Sequence, residues 1–380
     1  MSSSNSYDYV FTGTGCAGLS LLMRMLRSGH FADKKMLLLD KAPKKENDRT
    51  WCFWETTPGF FEEIVYKQWT QLDFFGREFE ATLDITPYRY KMIRGSDFYR
   101  YCFDEISRHP NVTIQYGEIS GVSRQHNTAR VVCNGETVLF PGAIVFNSIP
   151  LSAGNATLRL LQHFKGWVIE TPDTCFNPQR ATLMDFRVSQ QEGTTFAYLL
   201  PFDERRALVE YTLFTKSLLA ADAYEAGLRD YIRNQLKIEN YRVTEEEFGV
   251  IPMSNERYAF VREGVYQIGT AGGQTKASSG YTFQFIQKQS DRILDRLISG
   301  RSLDDLPGTA GRFRFYDHTL LYILYHEKLP GDLIFSRLFQ KNKPQQVLRF
   351  LDNESSLGAE WKVISTLPVW PFFKAAMRLG

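Results

Sequence analysis

The clearest pattern near the N-terminus is an apolar run, a glycine-rich turn and a second apolar run. "YDYVFTG" (7–13) reads as a strand, "CAGLSLLMRMLRSG" (16–29) as a helix ending at Gly29, and "KKMLLLDK" (34–41) as a second strand. Together they make a βαβ unit. Helical periodicity returns in "SDFYRYCFDEISRH" (96–109), with Ser96 expected as its cap. Residues 111–150 alternate like strands, and Asn134-Gly135 predicts a tight hairpin. A second β-rich block spans roughly 163–253. It holds "RATLMDFRVS" (180–189) and an expected strand pair, "TTFAYLLPF" (194–202) with "RRALVEYTLFT" (205–215). "VYQIGTAGG" (265–273) reads as a strand entering a glycine-rich loop, and from Tyr281 onward the pattern is mostly helical. The expected fold is α/β. A Rossmann-type nucleotide-binding domain (1–162 and 254–300) carries an inserted β-sheet substrate domain (163–253), followed by a helical C-terminal region (301–380).

Composition narrows the function. Lys+Arg total 45 against 43 Asp+Glu, so the chain lacks the basic footprint of a nucleic-acid binder. It carries 29 Phe, 19 Tyr and 6 Trp. Two readings are open: a ring-rich core, or π faces around an apolar or cationic guest. Cys16, Cys52, Cys102, Cys133 and Cys175 are scattered without a C-x-x-C pair, which fits free thiols in a reducing compartment. The histidines show no H-x-x-x-H spacing, so no metal site is expected. "MSSSNSYDYVF" lacks the pattern of an export leader, and no run approaches the length of a membrane span. The C-terminal "STLPVWPFFKAAMRLG" (365–380) also has two readings. It is a helix docked on the domain, or an aromatic and basic segment that settles in lipid headgroups.

The first turn carries Gly13-Thr14-Gly15-Cys16-Ala17-Gly18 between strand and helix. In such a fingerprint the first glycine permits the turn, the second admits a pyrophosphate, and the third lets helix and strand pack closely. The helix N-terminus offers unpaired N–H groups to the phosphates. Asp40 ends the second strand, where a carboxylate accepts ribose hydroxyls, and Lys41 beside it is a further expected cofactor contact. The β insertion and the second glycine-rich segment favour FAD over NAD. That segment, "IGTAGGQTKASSGYTF" (268–283), brings Gly269, Gly272, Gly273 and Gly280 as candidates near the pyrophosphate and flavin, or is an ordinary loop.

Two carboxylates interrupt apolar strands. On "ALVEYTLF", Leu208, Glu210, Thr212 and Phe214 share one face and Ala207, Val209, Tyr211 and Leu213 the other. Glu210 is either a solvated residue on a half-exposed strand or an acid held in an apolar site. Asp185 in "TLMDFRV" either pairs with Arg187 or holds a proton.

From these stretches the chain resembles the lycopene β-cyclase family of FAD-dependent carotenoid enzymes. The resemblance runs nearly end to end. It is carried by "DYVFTGTGCAGLSL", "LLLDK…NDRTWCFWE" (38–55), "YKMIRGSDFY" (90–99), "ATLMDFR" (181–187), "ALVEYT" (207–212), "IGTAGGQTKASSGYTF" and the tail "FLDNESSLGAEWKVISTLPVWPFFKAAM". Many FAD hydroxylases carry G-D-A where this chain has Gly269-Thr270-Ala271; the aspartate is missing here, as in the cyclases. The resemblance implies protonation of lycopene at a terminal double bond, ring closure through a carbocation and proton loss, giving β-carotene by way of γ-carotene with no net redox change. It implies FAD in reduced form, NAD(P)H as reductant, a lipophilic carotene substrate, and a position on the inner face of the cell membrane. Glu210 matches the family's acidic strand segment, proposed to supply the acid/base group. Arg49 and Arg94 are expected at FAD phosphates, or are surface charges. Trp51, Trp54 and Tyr281 are expected to line the cleft, or are core aromatics. An isoprenoid monooxygenase or reductase, and a carotenoid carrier without catalysis, are the rival readings.

Overall fold

The computed structural model describes residues 6–44, 46–151 and 156–379. The first five residues of the stretch expected to lack an export leader therefore lie outside the described residues. The βαβ unit forms as expected: strands Tyr9–Thr12 and Met36–Asp40 run parallel and flank helix Cys16–Ser28. That helix stops at Gly29, whose left-handed backbone returns its N–H to the carbonyl of Leu26. Strands Val112–Tyr116 and Ile144–Asn147 extend the parallel sheet on its two sides, and Val265–Gln267 pairs beyond the latter. Strand sites on both faces are apolar because helices or a second sheet cover both, as parallel sheets require. Asn134 and Gly135 both take positive φ and turn strand Thr128–Cys133 directly into Glu136–Pro141. The helix at 96–109 starts at Gly95 and ends at Ile106. Its cap position is Arg94, and Ser96 sits inside the first turn, so the expected Ser96 cap does not form.

A seven-stranded sheet forms the second layer. Its order is Arg242–Ser254, Arg159–Glu170, Arg206–Thr215, Thr194–Pro201, Arg180–Asp185, Gln71–Gly76, Phe79–Asp84. The sheet thus reaches outside the block 163–253: Gln71–Gly76 pairs in parallel with Arg180–Asp185 through long-range contacts that sequence spacing does not reveal. The hairpin Thr194–Pro201 with Arg206–Thr215 forms as expected and sets Tyr198 opposite Glu210. Helix Ala221–Asn234, which the strand-rich reading omits, covers one face. Val209, Tyr211 and Leu213 pack there against Tyr224, Leu228, Tyr231 and Ile232. Leu208 and Phe214 point the other way, into a core shared with the C-terminal helices. The strand holding Glu210 is therefore covered on both faces. In this setting a carboxylate loses water wherever it points.

The helices after Phe283 end in Val369–Leu379. That last helix docks through Phe372 and the buried Ala375, while Trp370, Phe373 and Met377 remain exposed. Both readings of the tail meet in one helix with two faces.

Candidate active site

The glycine fingerprint occupies its expected places, and each glycine has a separate steric reason. A side-chain carbon on Gly18 would stand 2.3 Å from the carbonyl oxygen of Gly13, so helix and strand touch there. Gly13 takes φ +95°, and a side chain would also meet Ser148. At Gly15, the cap of the helix, nothing lies within 4 Å of the position a side chain would take. Open space at a helix N-terminus without a side-chain cap is what an approaching pyrophosphate needs. Gly269 packs on Ala17 in the first turn of that helix, so the second glycine-rich segment lies beside the first. Gly272 closes on the backbone carbonyl of Gln267, and Gly280 closes on the Gln162 side chain.

Asp40 is buried and turned back onto the loop. Its Oδ2 accepts the Thr14 amide at 2.6 Å and the Thr14 hydroxyl at 2.7 Å, while Oδ1 accepts the Lys41 amide at 2.7 Å. Lys41 contributes its backbone to this cluster and exposes its side chain; the neighbouring Lys44 ammonium is 3.9 Å from the carboxylate. Asp40 thus holds the phosphate loop in shape, and a ribose hydroxyl would join a carboxylate that Thr14 already engages.

A cavity of about 790 Å³ runs from Ser148 and Thr270, beside the glycine segments, to Glu210 on the large sheet. This is near the upper end of ordinary ligand pockets. Arg49, Trp51, Gly280 and Tyr281 line it, in line with expectation. Gly269 and Gly272 do not line it; Thr270 and Ala271 between them do. Arg94 and Trp54 depart from expectation. Arg94 gives its Nε to Asp97 at 2.6 Å and lies over the Tyr66 ring, away from the cavity, because Asp97 is one helical turn ahead of it. Trp54 stands behind the cavity wall, edge-on to Tyr281 with ring centres 4.6 Å apart.

Glu210 is enclosed by protein, and the surface it keeps faces the cavity. Its Oε1 accepts the Thr212 hydroxyl at 2.7 Å. Around it the wall is made of Tyr90, Cys52, Tyr198 and Tyr281. Burial pushes the Glu210 carboxyl well above its ordinary range, and the charge of Glu247 pushes it further; Thr212 offsets part of this. Burial also raises the Cys52 thiol and the phenols of Tyr90, Tyr198 and Tyr281, so this end of the cavity is a neutral, weakly polar surface. Glu247 is a residue the sequence reading missed. Its carboxyl is buried, accepts the Thr50 hydroxyl at 2.8 Å, and is raised by burial to about 7.

Asp185 does not join them. It is fully buried on the opposite face of the sheet, where Arg187 donates both its Nε (2.9 Å) and Nη2 (2.7 Å) to it. The Arg187 amide and the Tyr231 hydroxyl complete its bonds. The register places Asp185 beside Ala197, which belongs with Tyr211 on the helix-covered face, whereas Glu210 pairs with Tyr198. A carboxylate with four donors on the wrong side of a sheet has no path to the cavity, so Asp185 is a structural partner of Arg187. Asp185→Ala is expected to cost roughly 3 kcal/mol of stability, the low end for breaking a buried pair because Arg187 is a third exposed. The variant should show a lower melting temperature with turnover per folded molecule intact; a selective loss of turnover would return Asp185 to the reaction.

The comparisons with known proteins agree with this geometry. The family described as lycopene cyclase protein matches residues 8–377. The chain belongs to the lycopene cyclase family. A lycopene beta-cyclase of Pantoea ananas is 23% identical over 298 residues, covering 76% of this chain and 74% of that protein. A lycopene beta-cyclase of Paracoccus sp. (strain N81106 / MBIC 01143) is 31% identical over 140 residues, 35% of each chain. Among solved structures, a flavin-dependent brominase superposes with a TM-score of 0.64 at 14% identity, covering 99% of both chains. A geranylgeranyl bacteriochlorophyll reductase-like protein of Thermoplasma acidophilum superposes with a TM-score of 0.59 at 12% identity over 98% of both. At these identities the structural likeness speaks for the fold: an α/β protein with a Rossmann-type sheet, a second large sheet and a helical C-terminus. Membership in the lycopene cyclase family supports cyclisation of lycopene.

Proposed function

We propose that the protein closes the ends of lycopene into β-ionone rings by proton transfer, without net redox change. The observation that carries this is Glu210: a carboxyl enclosed by protein, which burial pushes well above its ordinary range, facing a large cavity walled by aromatic rings. Protonating an unactivated alkene requires a neutral acid and the absence of competing water. Tyr198, Tyr281 and Trp51 present π faces and edges along the path, suited to a polyene and to the positive charge that ring closure creates.

FAD fits the opposite end of the cavity. The open space at Gly15, the uncapped helix behind it and the packing of Gly269 on that helix leave room for a pyrophosphate and an extended nucleotide. Arg49 lies on the cavity wall in position to meet its phosphates. When bound in reduced, anionic form, generated with NAD(P)H, FAD supplies negative charge that stabilises a cation in a low-dielectric site. The protein's own part is to hold the chain end against Glu210, to exclude water and to take the proton back. The test is anaerobic incubation of reduced holoenzyme with lycopene. Cyclic product of unchanged mass, with NAD(P)H not consumed in proportion, is expected. One NAD(P)H per product and a changed mass would instead make the protein a monooxygenase or reductase.

Access for such a substrate points to a membrane surface. Among the described residues no helix is long and apolar enough to cross a membrane. Helices Leu357–Ile364 and Val369–Leu379 instead expose Leu357, Trp361, Val369, Trp370, Phe373 and Met377, with Lys362, Lys374 and Arg378 on the same elements. Trp361 and Trp370 are more than 70% exposed, which a protein bathed only in water has no reason to keep. The purified protein should float with anionic liposomes. Trp361→Ser and Trp370→Ser should each weaken partitioning about tenfold, since burying a large apolar side chain is worth about 1.5–3 kcal/mol. Absence of flotation with anionic and neutral vesicles alike would refute the surface role.

A further inference from the structure

Glu210 and Glu247 stand in one row of the sheet with a glycine between them. On strand Arg159–Glu170, Gly166 pairs with Glu210 on one side and Glu247 on the other. A side-chain carbon on Gly166 would lie 2.8 Å from Glu247 Cγ, 3.0 Å from its Oε1 and 3.1 Å from Leu208 Cδ1. The missing side chain is thus the space the Glu247 carboxyl leans into, on the sheet face it shares with Glu210, and the two carboxyls perturb each other across it. The Thr212 hydroxyl holds one oxygen of Glu210 and the Thr50 hydroxyl holds Oε2 of Glu247. Glu247 Oε1 is buried and has no donor among the described residues. Two carboxylates have no proton to donate, so a hydrogen bond from Glu210 to this oxygen requires that one of the pair be protonated.

We propose that Glu247 is a positioning residue for the acid: the two carboxyl groups share one proton across the gap at Gly166, which holds the proton on Glu210 and aims it into the cavity. This rests on the proton-transfer reading above. In the reaction the Glu210 proton bonds to the terminal alkene carbon with that alkene's π electrons, leaving both carboxyls of the pair ionised and a cation on the substrate. The ring forms from the next double bond. The C–H bond beside the cation then breaks, its electrons make the ring double bond, and the proton returns to Glu210. No electrons are gained or lost, and the pair is reset for the second end.

The sign of the pH dependence follows from which member ionises first. Glu247 loses its proton first, because the contact between the two lowers Glu247 and raises Glu210, on top of the burial that raises both. Arg49 favours the ionised form of Glu247 and Glu245 on its own strand opposes it. Cys52, Tyr198 and Tyr281 face Glu210 from three other segments and stay neutral. Activity needs protonated Glu210, so it falls as pH rises through the Glu210 pKa. Removing the negative neighbour lowers that pKa, and the basic limb moves to lower pH.

The experiment compares wild type with Glu247→Gln, Glu247→Asp and Gly166→Ala, each as full-length protein reconstituted with FAD. It has two readouts: the pH profile of cyclisation, and infrared titration of the protonated-carboxyl band without substrate. In Glu247→Gln the basic limb and the band should both move down by about one to three pH units, the size expected for a like charge at about 4 Å in a partly screened site. Glu247→Asp keeps the charge one methylene further back and should shift less, and Gly166→Ala should part the carboxyls and also shift the limb down. Superimposable infrared titrations of wild type and Glu247→Gln, or a loss of activity by the same factor at every pH, would overturn the proposal. A shifted band in a protein that forms no cyclic product would uphold the pair and sink the cyclase reading.

Discussion

Glu210→Gln should retain the fold and the bound flavin and lose ring closure by about 10²–10⁴-fold, the usual loss when a general acid is removed. Glutamine keeps the size of the side chain, and its carbonyl oxygen still accepts the Thr212 hydroxyl that Glu210 Oε1 accepts at 2.7 Å. What disappears is the acidic proton. Burial pushes the neighbouring Cys52 thiol and the phenols of Tyr90, Tyr198 and Tyr281 up, so none is an acid able to replace it, and the loss should lie at the upper end of that range. Chromatography of carotenes after incubation with reduced enzyme reads the effect. A parallel run of the wild type in D₂O should place one solvent deuteron in each ring, at the carbon of the former terminal double bond. Full cyclisation by the variant would remove Glu210 as the acid and pass the role to Glu247, the remaining buried carboxyl of the pair. Product without solvent deuterium would remove proton-initiated closure altogether.

The second large effect separates the second and third glycines of the fingerprint. Gly15→Val places its first side-chain carbon where nothing lies within 4 Å, so the protein should fold with an unchanged melting temperature. Flavin content after purification should drop at least tenfold, on the order of 1.4 kcal/mol or more of lost binding, because the side chain occupies the approach of the pyrophosphate. Gly18→Val should do the reverse of a clean binding defect. Its side-chain carbon would stand 2.3 Å from the Gly13 carbonyl, a backbone group that cannot swing aside, so the cost falls on the fold, at about 1–3 kcal/mol or more. Normal flavin in Gly15→Val would sink the nucleotide assignment, and Gly18→Val with full stability would show that helix and strand do not need their close contact.

Which expectations held can be traced to the range of the interaction behind each. The fingerprint turn, the Gly29 stop and the Asn134-Gly135 hairpin depend on backbone conformations set within a few residues, and all three formed. The faces of strand Arg206–Thr215 followed from alternation alone. Ser96 failed as a cap because the chain enters its helix from strand Arg89–Arg94 without an intervening turn, which puts Arg94 in the cap position. Trp54 failed as a cavity residue because it stands behind Tyr281, and Arg94, expected at FAD phosphates or as a surface charge, lies off the cavity with Asp97 as its partner.

The sequence by itself determined the nucleotide-binding βαβ unit, the apolar setting of Glu210 and the kinship with lycopene cyclases, because these reside in contiguous stretches whose chemistry is local. Only the tertiary structure decided which carboxyl stands beside the acid. In "EEEF" (245–248) three glutamates look alike, a run that ordinarily marks a solvated edge. Glu245 and Glu246 are indeed exposed, and Glu247 is buried, because strand register turns it inward opposite Gly166. Gly166 reads in sequence as a weak point in a strand and becomes, between two neighbouring strands, the space that lets two carboxyl groups share a proton. Asp185 shows the converse: a carboxylate in an equally apolar run, turned by the same alternation to the far face and neutralised by Arg187. Alternation tells which residues of one strand share a face, but the partner across the sheet is set by pairing between distant segments, as between Gly166 and Glu247, 81 residues apart, and no local pattern encodes that register.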